Sequence, residues 1–270
     1  MRGLPNLPLA ALAVTVAVLN GSCTTTTEVN GQPVASNQRP GTPNEPDARK
    51  RASIRLQLAA TYYQKGQFSI AIEEIQNALK LDPNYAEAYG LLGLVNMDQG
   101  KRDEAEANFQ RALQLDNDNP EILNNYGWFL CQSGRERQSI DYFKRAAAAK
   151  TYATPAMPMQ NAGLCMLRIK DLTAAEEYLK HSFELDASNP ITKYQLSRLY
   201  LKLGQLERAR FYYGLLPSGQ DAGAEVLWLG VRIARAEGDA RTEQQLATDL
   251  RRRFPDSREA AALRREAFDE

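Results

Sequence analysis

The sequence predicts an all-α solenoid built from stacked helical hairpins. Gly66, Gly100 and Gly134 are each 34 residues apart, and Gly204 and Gly238 repeat that spacing. Between these glycines, small and apolar residues recur at i, i+3 and i+4, the pattern of an amphipathic helix that packs on one side. Strand signals are absent. These observations together favour a helical repeat protein.

A period of 34 residues is typical of tetratricopeptide repeats, hairpins that bury their apolar faces only by stacking on their neighbours. The gap of 70 residues between Gly134 and Gly204 equals two periods plus two residues, and Lys170 stands near the place of a sixth glycine. We therefore predict a right-handed tetratricopeptide solenoid of about six helical hairpins. The predicted repeats lie near residues 52–85, 86–119, 120–155, 156–189, 190–223 and 224–257.

In each repeat the glycine marks the turn between a first helix, helix A, and a second, helix B. Gly or Ala on helix A and Ala on helix B allow a close approach, while larger side chains fill the space between hairpins. The predicted core positions, repeat by repeat, are Leu58, Ala59, Tyr62, Ala71, Ile75 and Ala78; Tyr89, Leu92, Gly93, Ala105, Phe109 and Ala112; Leu123, Tyr126, Gly127, Leu130, Ser139, Phe143 and Ala146; Ala162, Gly163, Met166, Ala175, Leu179 and Leu185; Leu196, Ser197, Tyr200, Ala209 and Tyr213; and Leu227, Gly230, Ala234, Ala247 and Leu250.

Two loops and a terminal helix complete the predicted array, residues 51–270. Two prolines predict a longer connection over residues 146–158, and a third predicts another over residues 214–223. Apolar residues at i, i+3 and i+7 follow Pro255. They predict a capping helix over residues 257–268, which covers the open end of the solenoid.

The residues before the array predict a lipoprotein signal peptide over residues 1–22. Arg2 precedes an apolar run at 7–19, which is too short to span a membrane and has the form of a secretory signal. Cys23 follows small residues and resembles the lipidated cysteine of a bacterial lipobox. Because Asn20 stands where that motif usually has leucine, secretion with cleavage nearby and a retained membrane anchor stay open as alternatives.

The segment 23–50 is rich in Thr, Asn, Pro and Gly and predicts a disordered tether. Such a chain spans roughly 25 to 30 Å on average, which would hold the array close to a membrane. Thr24 follows Cys23 in place of aspartate, and this resembles lipoproteins sorted to the outer membrane. We expect attachment at the periplasmic face through acyl chains.

Composition and motifs argue against nucleic acid binding and against catalysis. Acidic and basic residues number 33 each, so no strongly basic face is implied and nucleic acid is an unexpected partner. His181 is the only histidine, and there is no Cys-x-x-Cys pair, phosphate loop or nucleophile elbow. We expect no enzymatic activity, no metal site and no cofactor.

Cys131 and Cys165 both fall on predicted A helices of adjacent repeats. An oxidising periplasm would permit a disulfide. However, stacked helices lie about 8 to 10 Å apart and the two cysteines are two positions out of register. We expect two half-buried thiols, with the disulfide as the alternative.

The side of helix A that faces away from helix B predicts a concave protein-binding groove. Its middle is apolar with amides beside it, and such a track suits an extended peptide or a helix of a partner. The alternative is that the apolar members pack inward. The fifth and sixth repeats instead present Gln195, Arg198, Lys202, Arg232 and Arg235. The predicted groove residues are Leu91, Leu94, Met97, Asn124, Asn125, Trp128, Asn161, Leu164 and Leu167.

The segment 123–130, Leu-Asn-Asn-Tyr-Gly-Trp-Phe-Leu, resembles a signature of the PilF/PilW family of type IV pilus biogenesis lipoproteins. The likeness continues at residues 161–164 and 174–179 and covers nearly the whole chain. It implies a pilotin, which helps the pilus secretin reach the outer membrane and multimerise there. The implied partner is a secretin subunit or another pilus-assembly protein. The irregular lipobox and Trp128, where a smaller residue is expected, depart from the family pattern.

Other envelope roles use the same architecture and remain alternatives at this point. They are a generic scaffold that serves outer-membrane protein assembly, the related tight-adherence pilus machinery, or regulation of a peptidoglycan enzyme. Repeat periodicity does not separate these roles from one another.

Overall fold

The computed structural model describes residues 28–29, 32–33 and 45–268. The first two pairs are short strands, β1 (Glu28–Val29) and β2 (Gln32–Pro33), joined antiparallel with Glu28 opposite Pro33. They correct the prediction of a wholly disordered tether at these four positions. The predicted signal peptide, Cys23 and the remainder of the tether up to residue 44 lie outside the described residues.

Residues 45–268 are helical throughout apart from their turns and loops. From α1 to α11, each odd-numbered helix packs most extensively on the helix that follows it, which gives six hairpins, and α13 packs on α11 and α12. The predicted fold class is confirmed. The helices are α1 (Glu45–Gln64), α2 (Phe68–Leu81), α3 (Ala86–Asp98), α4 (Arg102–Leu115), α5 (Pro120–Gln132), α6 (Glu136–Ala148), α7 (Ala156–Arg168), α8 (Leu172–Leu185), α9 (Pro190–Lys202), α10 (Leu206–Gly214), α11 (Ala224–Glu237), α12 (Ala240–Arg253) and α13 (Arg258–Arg264).

Helix α1 begins at Glu45, inside the segment predicted as tether. Ala48 and Ala52, one helical turn apart, are both buried, so the apolar stripe extends toward the N-terminus. Arg49 forms an ion pair with Asp82, and its guanidinium lies 4.3 Å from the ring centroid of Tyr85. The predicted tether 23–50 is therefore wrong for residues 45–50, because these contacts dock them on the first hairpin.

The turns between helices A and B have left-handed backbone geometry, which favours glycine because it lacks a Cβ. Lys170 adopts φ of 60° at the fourth turn, where the period predicts a glycine. The same geometry recurs at the other five turns. Positive φ values are found at Gly66, Gly100, Gly134, Gly204 and Gly238.

Small residues on the A helices allow the close packing that the sequence predicts. A Cβ added to Gly163 would lie 2.6 Å from Cγ of Leu179, and one added to Gly127 would lie 2.9 Å from the Phe143 ring. Most predicted core positions are buried, but Leu58 and Leu185 are 38% and 43% exposed and lie at the solvent edge. These two core assignments are wrong.

The structure contains both of the longer connections that the sequence predicts, after α6 and after α10. The loop after α6 covers residues 149–155, and Pro158, predicted in this loop, is instead buried in the first turn of α7, where proline is tolerated. Between α10 and α11 the chain forms a 3-10 turn at Gly219–Asp221. Arg253 donates hydrogen bonds to the carbonyl oxygens of this loop. The acceptors are Gly219 at 2.7 Å, Gln220 at 2.8 Å and Ala222 at 2.6 Å.

The terminal cap is shorter than predicted, because α13 ends at Arg264 and the predicted helix runs to residue 268. Ser257 caps its first turn by accepting a hydrogen bond from the N–H of Ala260 at 3.0 Å. Phe268 follows the helix and stacks on Trp228 with 5.4 Å between ring centroids. The cap therefore closes the last repeat through one helix and one aromatic pair.

Candidate protein-binding groove

The predicted groove residues lie on three A helices, α3, α5 and α7, of which α5 contacts both of the others. Asn119 starts α5 because its side-chain oxygen accepts hydrogen bonds from the N–H groups of Glu121 and Ile122, and Pro120 occupies the first turn. Of the nine predicted residues, Asn124 is buried and the other eight are half-buried. The partner-binding role of the nine residues stays a prediction.

Amide side chains link α5 to α7 at the centre of this surface. Asn161 Nδ2 donates to Asn124 Oδ1 at 3.0 Å, and Asn124 Nδ2 donates to Asn125 Oδ1 at 3.3 Å. Within the described residues, Asn125 Nδ2 and Asn161 Oδ1 have no partner. One donor and one acceptor are thus left for the backbone of an extended segment.

The apolar members of the groove also support the core. Trp128 and Leu167 pack partly against the central core cluster, which includes Cys165 and Met166. Leu94 and Met97 pack against a second cluster, and Leu91 packs against a third. Each of these side chains therefore packs partly inward, as the alternative predicts. The rest of each side chain remains accessible and forms a half-buried apolar surface.

Cys131 and Cys165 form a disulfide that joins α5 to α7, with a Cα–Cα distance of 5.9 Å. The expectation of two free thiols is wrong. Helix axes about 8 to 10 Å apart leave directly facing Cα atoms only about 3 to 5 Å apart, since each lies about 2.3 Å from its axis, so a small offset between the two positions still allows a disulfide. The two cysteines are 34 residues apart, but the connection between their helices has two extra residues, so they do not occupy equivalent positions and the repeat spacing gave no signal for this bond.

A cavity of about 810 Å³ is lined mainly by residues of α7, α9 and α11, and its lining on α7 begins at Leu164, three residues after Asn161. It is lined by all five residues that the sequence analysis assigns to the fifth and sixth repeats, Gln195, Arg198, Lys202, Arg232 and Arg235. Arg168 and Phe268 line it as well. Sequence reasoning missed these last two residues, because Arg168 lies outside the groove offsets and Phe268 returns from beyond the cap. The apolar part of this lining, which we call the floor, includes Leu164 and Leu199.

Two groups of the array, Glu106 and Tyr194, have shifted pKa values with clear structural causes. Arg135 donates to both carboxylate oxygens of Glu106, at 2.7 and 3.0 Å, and this pairing lowers the Glu106 pKa. Burial raises the pKa of Tyr194 on α9, and the charge of Arg198 opposes that rise. Within the described ranges, no three His, Cys, Asp or Glu side chains are placed to hold a metal ion.

The fold defines a tetratricopeptide array, a class of helical-repeat protein that binds other proteins. Models of the tetratricopeptide repeat match residues 56–120, 96–151 and 192–215. The chain is 30% identical over 204 residues to the type IV pilus assembly protein PilF of Pseudomonas aeruginosa, which covers 76% of this chain and 81% of that protein. The chain belongs to the PilF/PilW family of type IV pilus biogenesis proteins.

Solved structures of two family members agree with this assignment. The crystal structure of PilW, described as a widely conserved type IV pilus biogenesis factor, aligns with a TM-score of 0.72 and 33% identity, covering 79% of this chain and 98% of PilW. The structure of Pseudomonas aeruginosa PilF aligns with a TM-score of 0.72 and 28% identity, covering 83% and 100%. Across residues 45–268, no helix has the length and apolar character needed to cross a bilayer.

Proposed function

We propose that this chain is a pilotin, an outer-membrane lipoprotein that assists the localisation and multimerisation of the secretin in type IV pilus biogenesis. The observation that carries the proposal is the match to PilF across the helical array. The segment 123–130 lies on α5 and contributes Asn124, Asn125 and Trp128 to the groove. This surface suits the capture of a protein segment and offers no catalytic constellation in the described residues.

The proposed mechanism is protection of a subunit before it assembles. The proposal takes a secretin subunit that awaits assembly to expose a strand edge or apolar segment, which would aggregate unless it were covered. The groove would cover such a segment through its apolar members and through Asn125 Nδ2 and Asn161 Oδ1. Neighbouring subunits then replace the groove as the multimer forms.

The membrane anchor is a second part of the proposal. We infer that residues 1–22 are a signal peptide and that Cys23 carries acyl chains at the periplasmic face of the outer membrane. A tether raises the effective concentration of the groove at the membrane where the secretin assembles. A Cys23→Ser variant should lose radiolabelled palmitate and leave the outer-membrane fraction, and retained label would refute lipidation at this position.

Heat-resistant secretin multimers test the proposed function directly. Cells without the gene should show secretin monomers on gels and should lose twitching, and a plasmid copy should restore both. Normal multimers with normal twitching would reject the pilotin role. Normal multimers together with cell-wall defects would favour regulation of a peptidoglycan enzyme instead.

A further inference from the structure

The cavity on α7, α9 and α11 has a charge unlike that of the chain as a whole. Acidic and basic residues are equal in number over the sequence. Among the described residues that line the cavity there are five cations and no Asp or Glu. Concave walls concentrate the resulting positive potential. The cations are Arg168, Arg198, Lys202, Arg232 and Arg235.

Two of these cations remain open to a ligand. Arg168 and Arg235 each pair with a carboxylate outside the cavity, at 3.6 and 2.9 Å. No carboxylate among residues 47–268 forms an ion pair with Arg198 or Lys202, and both side chains are exposed. Arg198 makes only neutral contacts, a 3.5 Å hydrogen bond to Gln195 Oε1 and a 5.6 Å approach to the ring centroid of Tyr194. An anionic group entering the cavity would therefore be attracted most strongly to these two.

The cavity also has an apolar floor, to which Leu164, Leu199 and Phe268 contribute. The Arg235 guanidinium lies 3.9 Å from the Phe268 ring centroid, so a cation borders the apolar surface directly. A volume of about 810 Å³ lies within the usual range for ligand sites. A flat bilayer surface cannot reach a floor between helices, whereas a peptide segment can.

We propose that this cavity binds an acidic peptide segment of a partner protein. Carboxylates of the segment bind Arg198 and Lys202, and an apolar side chain between them occupies the floor. The inference rests on the proposed function in one respect, namely that the partner protein is a pilus-assembly protein. It extends the binding face beyond the amide cluster of α5 and α7.

The test uses the full-length protein in detergent and a fluorescent peptide that alternates Asp or Glu with Leu. Anisotropy should show saturable binding that weakens as salt is raised. A matched peptide with Asn and Gln in place of the acids should bind about tenfold more weakly. The double variant Arg198→Gln with Lys202→Gln should lose a similar factor in affinity.

The control variant is Arg51→Gln with Lys65→Gln, which removes the same charge from exposed residues of the first hairpin. It should bind the acidic peptide as the wild type does. Equal affinity for the acidic and amide peptides, or equal loss in both double variants, overturns the proposal.

Vesicles with and without phosphatidylglycerol test the membrane alternative. The acyl anchor contributes equally to vesicle binding by the wild type and by the double variant. A preference for phosphatidylglycerol that is lost in the double variant would therefore indicate a lipid site in the cavity. Such a dependence without peptide binding would replace the peptide by an anionic lipid. Loss of secretin multimers in cells without the gene, combined with no peptide binding, refutes this inference alone. Peptide binding with normal multimers refutes the pilotin role alone.

Discussion

The disulfide between Cys131 and Cys165 crosses the place where the repeat period is interrupted. It joins the A helices of the third and fourth hairpins, α5 and α7, while the chain between them includes the loop at 149–155. Both cysteines are fully buried. The bond therefore holds α5 against α7 at the centre of the groove. Without it, the longer connection at 149–155 would allow these two helices to move apart.

Removing this bond should destabilise the array. The bond joins residues 34 apart in sequence, for which loop-closure entropy gives about 4 kcal/mol. The double variant Cys131→Ala with Cys165→Ala should lower the free energy of unfolding by about 2 to 4 kcal/mol in a denaturant titration. Alkylation of unreduced, denatured wild type followed by peptide mapping should leave both cysteines unmodified. Modified Cys131 in that experiment would contradict the bond.

The left-handed backbone at Lys170 should destabilise the folded state, and substitution by glycine should remove this destabilisation. Its φ of 60° is the left-handed conformation that the equivalent glycines adopt. Lys170→Gly should raise the free energy of unfolding by about 0.5 to 1 kcal/mol, since the gain in the folded state exceeds the entropy that glycine adds to the unfolded chain. Lys170→Ala is the control and should give no gain. Equal effects of the two substitutions would place the cost elsewhere.

Gly163→Ala should be destabilising because its methyl group would overlap Leu179. Displacing a buried side chain in this way costs about 1 to 3 kcal/mol. Gly214→Ala is the matched control, because no heavy atom lies within 4 Å of its added Cβ. Gly163→Ala should melt at a clearly lower temperature than Gly214→Ala. Similar melting temperatures would mean that the contact between α7 and α8 adjusts to the added methyl group without loss of stability.

The ion pair of Glu106 and Arg135 should contribute stability that depends on pH. Because Arg135 lowers the Glu106 pKa, the contribution is present above the carboxyl's ordinary pKa and is lost as pH falls through the lowered value. Glu106→Gln should cost about 1 kcal/mol at pH 7, since the pair is bidentate yet partly exposed. Denaturant titrations at pH 7 and pH 3 should show the difference from wild type shrinking at low pH. A constant difference would assign it to packing.

Asn125→Ala should separate binding from stability in the groove. Its side chain only accepts one bond, from Asn124, so the free energy of unfolding should change by at most about 0.5 kcal/mol. Under the proposed function the variant should reduce heat-resistant secretin multimers in cells. Asn108→Ala should not, because it removes a half-buried asparagine on α4, away from the groove, whose side chain likewise makes one hydrogen bond, to the carbonyl oxygen of Glu104. Loss of multimers in both variants would point to an effect unrelated to the groove.

The repeat architecture was predictable because its determinants are local and recur with a fixed spacing. A turn that requires φ above zero selects glycine, and a close helix contact selects Gly or Ala, so both constraints are visible in the sequence. The position of Lys170 followed from the same spacing. Helix α1 was harder to place, because its first turns follow a Pro-rich segment and are held by Arg49, whose partners lie in the loop after α2 and at the start of α3.

The site was predictable as a face and less so as a set of contacts. Helical offsets identified Asn124, Asn125 and Asn161, but their hydrogen bonds depend on how α5 crosses α7. The disulfide depends on the same crossing. Phe268 reaches the cavity only because the chain folds back over the last hairpin, and this long-range contact has no periodic signal.

Arg253 has a consequence for how a partner is received at the far end of the array. Its three hydrogen bonds fasten the connection between α10 and α11 to the last helix of the final hairpin. These bonds restrain the connection that joins α10 to α11. Under the proposed binding, an incoming segment would therefore meet a largely preformed cavity and would spend little binding free energy on ordering this end of the array.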